Sequence, residues 1–371
     1  MNKEGVSEIR IIGLMSGSSL DGVDLVYCSF SYEVSPKFYI KSWSIDCAQT
    51  IPLDESLLLQ LKTVNHLTGK ELSLLDHKLG VFFGEIAQDF IQMNKLNPDF
   101  ISSHGHTVFH YPKEGFTLQI GHPAEIVAAT GLPVMADFRS IDVALKGQGA
   151  PLAPIVDQYL FGEYDVLVNL GGIMNLSFVK SGTRTIAYDV APCNQSLNYL
   201  AMKLGQEFDD QGKMAAVGKV NDSLLKELNK WYFFEKTYPK SLDNTEISEE
   251  FNPILDQYDI SIQDKMATVV ELIAQHLQLA ILEQNLIQDS RIFITGGGAF
   301  NVFLINRMKA LIPNCRIIVP DKTLVSFKEG LLLALLGLLR LNNQVNVLKN
   351  VTGCSSNHIG GAIYQGITKI I

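Results

Sequence analysis

Two strand–turn–strand segments, each turning on glycine and lying in opposite halves of the chain, constrain the fold more than any other feature of the sequence. In the first, the β-rich apolar run Ile9 to Met15 enters Ser16-Gly17-Ser18-Ser19-Leu20-Asp21-Gly22, and Val23 to Phe30 leads out. In the second, Asp165 to Asn169 enters Leu170-Gly171-Gly172-Ile173-Met174, and Asn175 to Val179 leads out. Between strands, a glycine frees the backbone for positive φ and lets successive N–H groups face an anion. Either turn alone reads equally well as a tight hairpin. Two of them, one per half, form a repeat of architecture and predict a clamp on the phosphates of a nucleotide.

Elsewhere, helical periodicity covers Leu57 to Met93 with breaks near Gly69 and Gly84. A short strand, Phe100 to Ser103, is expected to deliver a loop carrying His104, His106 and His110. Helices are expected over Pro123–Thr130, Pro151–Phe161, Ser196–Leu204 and Asp264–Asn285. The strand Arg291–Thr295 meets Gly296-Gly297-Gly298 and then a helix, and an apolar helix follows from Val325 to Leu341. The polar, aromatic stretch from Lys213 to Pro253 reads as a surface insert or lid. Strands alternating with helices in both halves predict two α/β domains with a cleft between them, over 1–141 plus 356–371 and over 142–355.

Composition narrows the partners. A formal net charge of −9 argues against nucleic acid, whose phosphates demand Lys and Arg, yet leaves a nucleotide open. Five scattered cysteines without a C-x-x-C pair point to a reducing compartment rather than a disulfide framework. The longest apolar run, Leu331 to Leu339, is too short for a bilayer and reads as a buried helix, so no membrane partner is expected.

Several polar residues stand where chemistry would need them. Asp21 and Asp24 supply hard oxygen ligands suited to Mg²⁺, with Asp21 the first choice. No G-x-x-x-x-G-K-[ST] or G-x-G-x-x-G occurs, which disfavours P-loop and Rossmann proteins. The triple glycine 296–298 would admit a flat ligand or simply pack closely. His104 and His106 could share a metal, or hydrogen-bond to substrate or backbone. Arg139 reads as a substrate contact or as a salt-bridge partner of Asp137 or Asp142. Asp189 suits a general base or a helix N-cap region, and Glu329 a cleft residue or a helix-dipole partner.

The order of these motifs resembles the anhydro-N-acetylmuramic acid kinase family, within the duplicated, ribonuclease H-like fold of actin, sugar kinases and Hsp70-type ATPases. The resemblance rests on Ile12-Gly13-Leu14-Met15-Ser16-Gly17-Ser18-Ser19-Leu20-Asp21-Gly22-Val23-Asp24, on Ser103-His104-Gly105-His106-Thr107 and on Ala136-Asp137-Phe138-Arg139. It continues through Gly147-Gln148-Gly149-Ala150-Pro151, Asn169-Leu170-Gly171-Gly172-Ile173-Met174-Asn175, Thr295-Gly296-Gly297-Gly298-Ala299 and Lys328-Glu329. It implies an α/β two-lobed ATPase in which Gly17, Ser18, Ser19, Leu20, Asp21, Gly22, Val23 and Asp24 bind ATP, with Gly171 and Gly172 as the second phosphate turn. Gly296, Gly297 and Gly298 would lie against adenosine, Thr107, Arg139 and Glu329 against an anhydro-sugar, and Asp189 would be the catalytic base. It further implies ATP and Mg²⁺, a cytoplasmic homodimer and a place in peptidoglycan recycling. The family usually carries Gln at His106, Asp at His122 and Gly at Lys146, and Asp-Thr-Gly-Pro-Gly-Asn where this chain reads Asp189-Val190-Ala191-Pro192-Cys193-Asn194.

Overall fold

The structure, a computed structural model, describes residues 6–17, 20–180, 183–238, 240–286 and 288–367. The chain divides into two compact units: one runs to Leu160 and resumes at Phe327, and the other is Phe161–Ser326. Residues 142–160 and 327–355, assigned to the second domain from sequence, pack with the first unit.

The first unit holds β1 (Val6–Ser16), β2 (Val23–Glu33), β3 (Tyr39–Ile51), β4 (Phe100–Tyr111), β5 (Phe116–Ile120), β6 (Val134–Ala136) and the late strand β12 (Ala362–Tyr364). The second holds β7 (Val166–Leu170), β8 (Ile173–Lys180), β9 (Thr183–Pro192), β10 (Arg291–Thr295) and β11 (Arg316–Ile318). Their orders are β12-β6-β4-β1-β2-β3, with β5 on β4, and β11-β10-β7-β8-β9. Both sheets follow one plan. Three consecutive strands run antiparallel, and the first of them pairs in parallel with a later strand, β1 with β4 and β7 with β10. Parallel pairing needs a crossover, which the intervening helices supply. This repeated plan is the duplicated ribonuclease H-like arrangement of the actin-like ATPase fold.

Central strands are covered on both faces, which explains the unbroken apolar run of β1: Ile11, Ile12 and Leu14 are all fully buried. The helix Gly69–Met93 starts at a capping box formed by Thr68 and Glu71 and passes through Gly84 without a break. Gly84 is there for packing, since a Cβ would come within 2.7 Å of the Ala129 Cβ on the helix Pro123–Thr130. The histidine-bearing segment is not a loop. Strand β4 continues to Tyr111, and Gly105, at φ +72°, lets it bend from pairing with β1 and β6 to pairing with β5.

The stretch from 213 to 253 is likewise no surface insert. It folds into short helices that bury Trp231, Phe233, Ile247 and Phe251 in the second unit's core. Its charges had masked an apolar minority spaced for short helical turns. The helix Ile262–Glu283, among the described residues, is long and apolar enough to cross a membrane, but 72% of that apolar window is buried in the same core.

Within the first unit, the helix that runs on from Phe327 to Leu341 lies hard against the sheet. A Cβ on Gly13 would fall 1.9 Å from the Gly330 carbonyl oxygen, and one on Gly330 would fall 2.1 Å from Val26 Cγ2. The contact of small residues seats the helix on β1 and β2, and thereby fixes the neighbouring Glu329.

Candidate active site

In the first unit, the turn after β1 closes with Leu20 N–H donating to the Gly17 carbonyl at 3.3 Å, Leu20 itself lying at φ 59°. Ser18 and Ser19 lie outside the described residues. Gly22, at φ 149°, presses against Ile51, so its identity follows from packing. Val23 is buried as the first residue of β2. Asp24 accepts a hydrogen bond from Thr50 Oγ1 at 2.6 Å. Its carboxyl is held above the usual range by burial, partly offset by that bond, and further by the neighbouring charge of Asp21. Glu329 is raised too, first by burial, then by Asp24, with Arg139 opposing and Asp21 adding. The fold therefore gathers Asp21, Asp24, Glu329 and Arg139 into one electrostatic neighbourhood.

Arg139 does not serve as a salt-bridge partner for Asp137 or Asp142. Asp137 accepts from Ser140 N–H at 3.1 Å, and Asp142 accepts from Gly149 N–H and Thr352 Oγ1. Arg139 Nε instead donates to His104 Nε2 at 2.8 Å, and His104 Nδ1 faces the Gly105 carbonyl at 3.0 Å. A carbonyl can only accept, so Nδ1 carries the proton and Nε2 the lone pair. Both nitrogens are thus engaged, and His106 Nδ1 bonds Ser16 Oγ at 3.0 Å. These bonds favour a positioning role over a metal for the H-x-H pair. Thr107 sits beside Gln119 across the β4–β5 ladder.

The imidazole of His104 is pushed down to about 4, chiefly by burial and then by the Arg139 charge. In the unfolded chain it titrates near 6.5. Between these values the unfolded chain holds the extra proton, so His104 costs the fold stability as pH falls through the window, and the cost levels off below it. His104→Gln removes one such proton. We expect its stability to fall less steeply than the parent's from pH 6.5 to pH 4, by roughly 3 kcal/mol in all. Urea unfolding of both proteins at stepped pH measures this; parallel curves would contradict a neutral His104.

In the second unit, the Gly171-Gly172 turn joins β7 to β8 and backs onto the helix Asn194–Met202. The Gly172 carbonyl accepts from the N–H groups of Cys193 and Gln195, and the Gly171 carbonyl from that of Asn194. A trans peptide points its N–H opposite its carbonyl, so the N–H groups of Gly172 and Ile173 point away from that helix. Neither glycine has a left-handed backbone. A Cβ on Gly172 would meet only the Gln195 Cβ at 3.7 Å, and one on Gly171 nothing closer than 3.3 Å. At Gly172 protein packing does not demand glycine.

The triple glycine splits in two. Gly296, at φ +84°, is jammed against Asn169 and Leu170, and a Cβ on Gly298 would fall 2.7 Å from the Leu170 Cβ. Gly297 is open, with nothing nearer than Asn194 Nδ2 at 3.8 Å. Gly297 and Gly298 line a cavity of about 330 Å³ with Asn198, Phe208 and Phe300. Sequence reasoning missed Asn198 and Phe208. Phe208 is a large aromatic left more than half exposed, which only the fold reveals.

Asp189 lies within β9, opposite Asn175 on β8, and the N-cap of the next helix is Cys193, so the capping alternative falls away. Its Oδ2 accepts from Leu242 N–H at 2.8 Å, and its own N–H donates to the Lys240 carbonyl at 3.1 Å. Burial raises its carboxyl, and the Leu242 bond opposes that rise. The 213–253 stretch thus supplies the strap that orients Asp189.

The positions at which this chain differs from the family pattern are absorbed structurally. Val190, Ala191 and Cys193 all face the interior, and burial pushes the Cys193 thiol up to about 12. His122 caps the helix Pro123–Thr130, its Nδ1 accepting from Ala124 N–H at 3.3 Å, a bond Asp would also make. Lys146 occupies φ 68°, where glycine is less strained.

The sequence profile described as anhydro-N-acetylmuramic acid kinase matches residues 9–366. A protein of that name from Sulfurovum sp. is 34% identical, over 98% of this chain and 100% of its own. Its counterpart from Pasteurella multocida is 36% identical, over 95% of this chain and 96% of its own.

Proposed function

Since the chain belongs to the anhydro-N-acetylmuramic acid kinase family, we propose that it opens the ring of 1,6-anhydro-N-acetylmuramic acid with water and transfers the γ-phosphoryl group of ATP to O6. The products are N-acetylmuramic acid 6-phosphate and ADP, and the reaction serves cell-wall recycling. The observation that carries the site assignment is Asp189: a half-buried carboxylate, tethered by one backbone N–H and raised by burial toward the range of a general base.

Asp189 takes a proton from the water that attacks the anomeric carbon, as the base of an inverting glycosidase does. The bond from that carbon to O6 breaks, and O6 takes the phosphoryl group rather than a proton, so no separate acid is needed. Thr107, Arg139 and Glu329 hold the sugar, with His104 fixing the guanidinium through its lone pair. The turns at Gly17–Asp24 and Gly171–Gly172 hold the phosphates, and Gly297–Gly298 border the adenosine. Positioning and charge stabilisation supply most of the phosphoryl-transfer rate.

Mg²⁺ fits the donor set. Asp21 and Asp24 are hard oxygen ligands, and Asp21's charge raises the Asp24 carboxyl, a cost that a cation relieves. When bound, the ion would neutralise phosphate charge. A reducing cytoplasm suits five cysteines that are all free thiols, and a homodimer follows the family resemblance.

ADP release on adding the anhydro-sugar to protein, ATP and Mg²⁺ is the direct test. We expect turnover well above the ATP-only background; folded protein at background with this sugar but active on another would move the substrate, not the ATP site.

A further inference from the structure

Asp142, Cys354 and His358 converge in the first unit, with one ligand atom from each within 4.8 Å of the others. We propose that these three side chains bind a Zn²⁺ ion. Asp142 and Cys354 are buried, and the His358 side chain is only 9% exposed.

The hydrogen bonds define what is left over. His358 Nδ1 lies 3.2 Å from the Ser356 carbonyl, which only accepts, so Nδ1 carries a proton. Its Nε2 is buried with no hydrogen-bond partner and faces Asp142 Oδ1 at 3.9 Å. A lone pair and a carboxylate oxygen facing each other in a buried site repel unless a positive charge stands between them. A backbone carbonyl holding Nδ1–H is also the arrangement that orients a zinc-bound imidazole through its other nitrogen. Asp142 is itself held in place, Oδ2 by Gly149 N–H at 2.6 Å and Oδ1 by Thr352 Oγ1 at 2.7 Å.

The thiol selects the metal. Cys354 Sγ lies 3.8 Å from the His358 ring at Nδ1 and donates to the Ser356 carbonyl at 3.1 Å. Tetrahedral zinc puts S, N and O ligands about 3.3–3.8 Å apart, so ligand atoms now within 4.8 Å of one another would have to draw together, with the Cys354 thiol turning toward Nε2. Soft sulfur with imidazole favours zinc over Mg²⁺ or Ca²⁺, and water completes the fourth position. Binding would release the thiol proton. The ion would staple the segment just after Arg139 to the 352–358 turn, reinforcing the bonds from Gln148 N–H to the Thr352 carbonyl and from Ser355 N–H to the Leu145 carbonyl.

The test uses the full chain, stripped with chelator, re-equilibrated with zinc chloride and desalted. We expect one zinc per chain by elemental analysis, a higher melting temperature with zinc than without, and loss of both in Cys354→Ala and His358→Ala. Cobalt in place of zinc should give a thiolate-to-metal charge-transfer band. No retained zinc, or equal zinc in parent and variants, overturns the proposal. If the variants do not fold, the cobalt spectrum of the parent decides: no thiolate band overturns it.

Discussion

Asp189→Asn is expected to lower kcat by about 10²–10⁴-fold, the usual contribution of a positioned base, while ATP affinity stays within about twofold. Asparagine keeps the shape, and its carbonyl oxygen can still accept the Leu242 N–H that holds Asp189 at 2.8 Å. The substitution therefore removes basicity with little change in geometry. Steady-state ADP release and calorimetric ATP titration separate the two effects. The pH profile adds a sign. A carboxyl raised by burial places the acid limb of kcat/KM above the ordinary Asp range of about 3.9, and the rate falls as pH drops through that limb because the base is protonated. Turnover in Asp189→Asn within tenfold of the parent would remove Asp189 from the base role.

The two glycine hairpins and their strands were legible from sequence because local turn chemistry and β-rich runs specify them. What escaped the sequence depends on tertiary partners. Gly84 looked like a helix breaker, yet it is a contact point for Ala129, and no local signal separates those roles. The histidines of β4 looked like a loop because Gly105 interrupts the pattern, although that glycine bends a continuous strand. Asp189 stands out in the sequence but its strap does not, since Lys240 and Leu242 are distant in sequence and bond it through their backbones. Arg139 reads from sequence as a substrate contact or a salt-bridge partner of Asp137 or Asp142, and His104 as a metal ligand or a hydrogen-bonding residue, so their pairing is not legible there. Only the bond from Nε to Nε2 shows that the imidazole lone pair is spent on the guanidinium. Backbone and lone-pair bonds of this kind leave no compositional trace.

Gly172→Ala and Gly296→Ala should have opposite signatures, and the contrast tests the phosphate turn directly. At Gly172 the backbone is not left-handed and a Cβ meets nothing nearer than 3.7 Å, so stability should change by no more than about 0.5 kcal/mol. The added methyl would stand beside the Gly172 and Ile173 N–H groups, where the phosphates are proposed to lie. A displacement of about 1 Å there is expected to cost roughly 10²-fold in kcat/KM for ATP. At Gly296 the order reverses. The backbone sits at φ +84°, and a Cβ would come within 2.6 Å of Asn169 Oδ1 and 2.8 Å of the Leu170 carbonyl, a strain of about 1–3 kcal/mol that lowers the melting temperature. Thermal unfolding and ATP kinetics on the same two preparations decide the matter. Should Gly172→Ala bind and turn over ATP like the parent, Gly171-Gly172 is a plain hairpin and the phosphates lie elsewhere. Should it lose stability as Gly296→Ala does, its glycine is there for the protein's own packing rather than for a ligand.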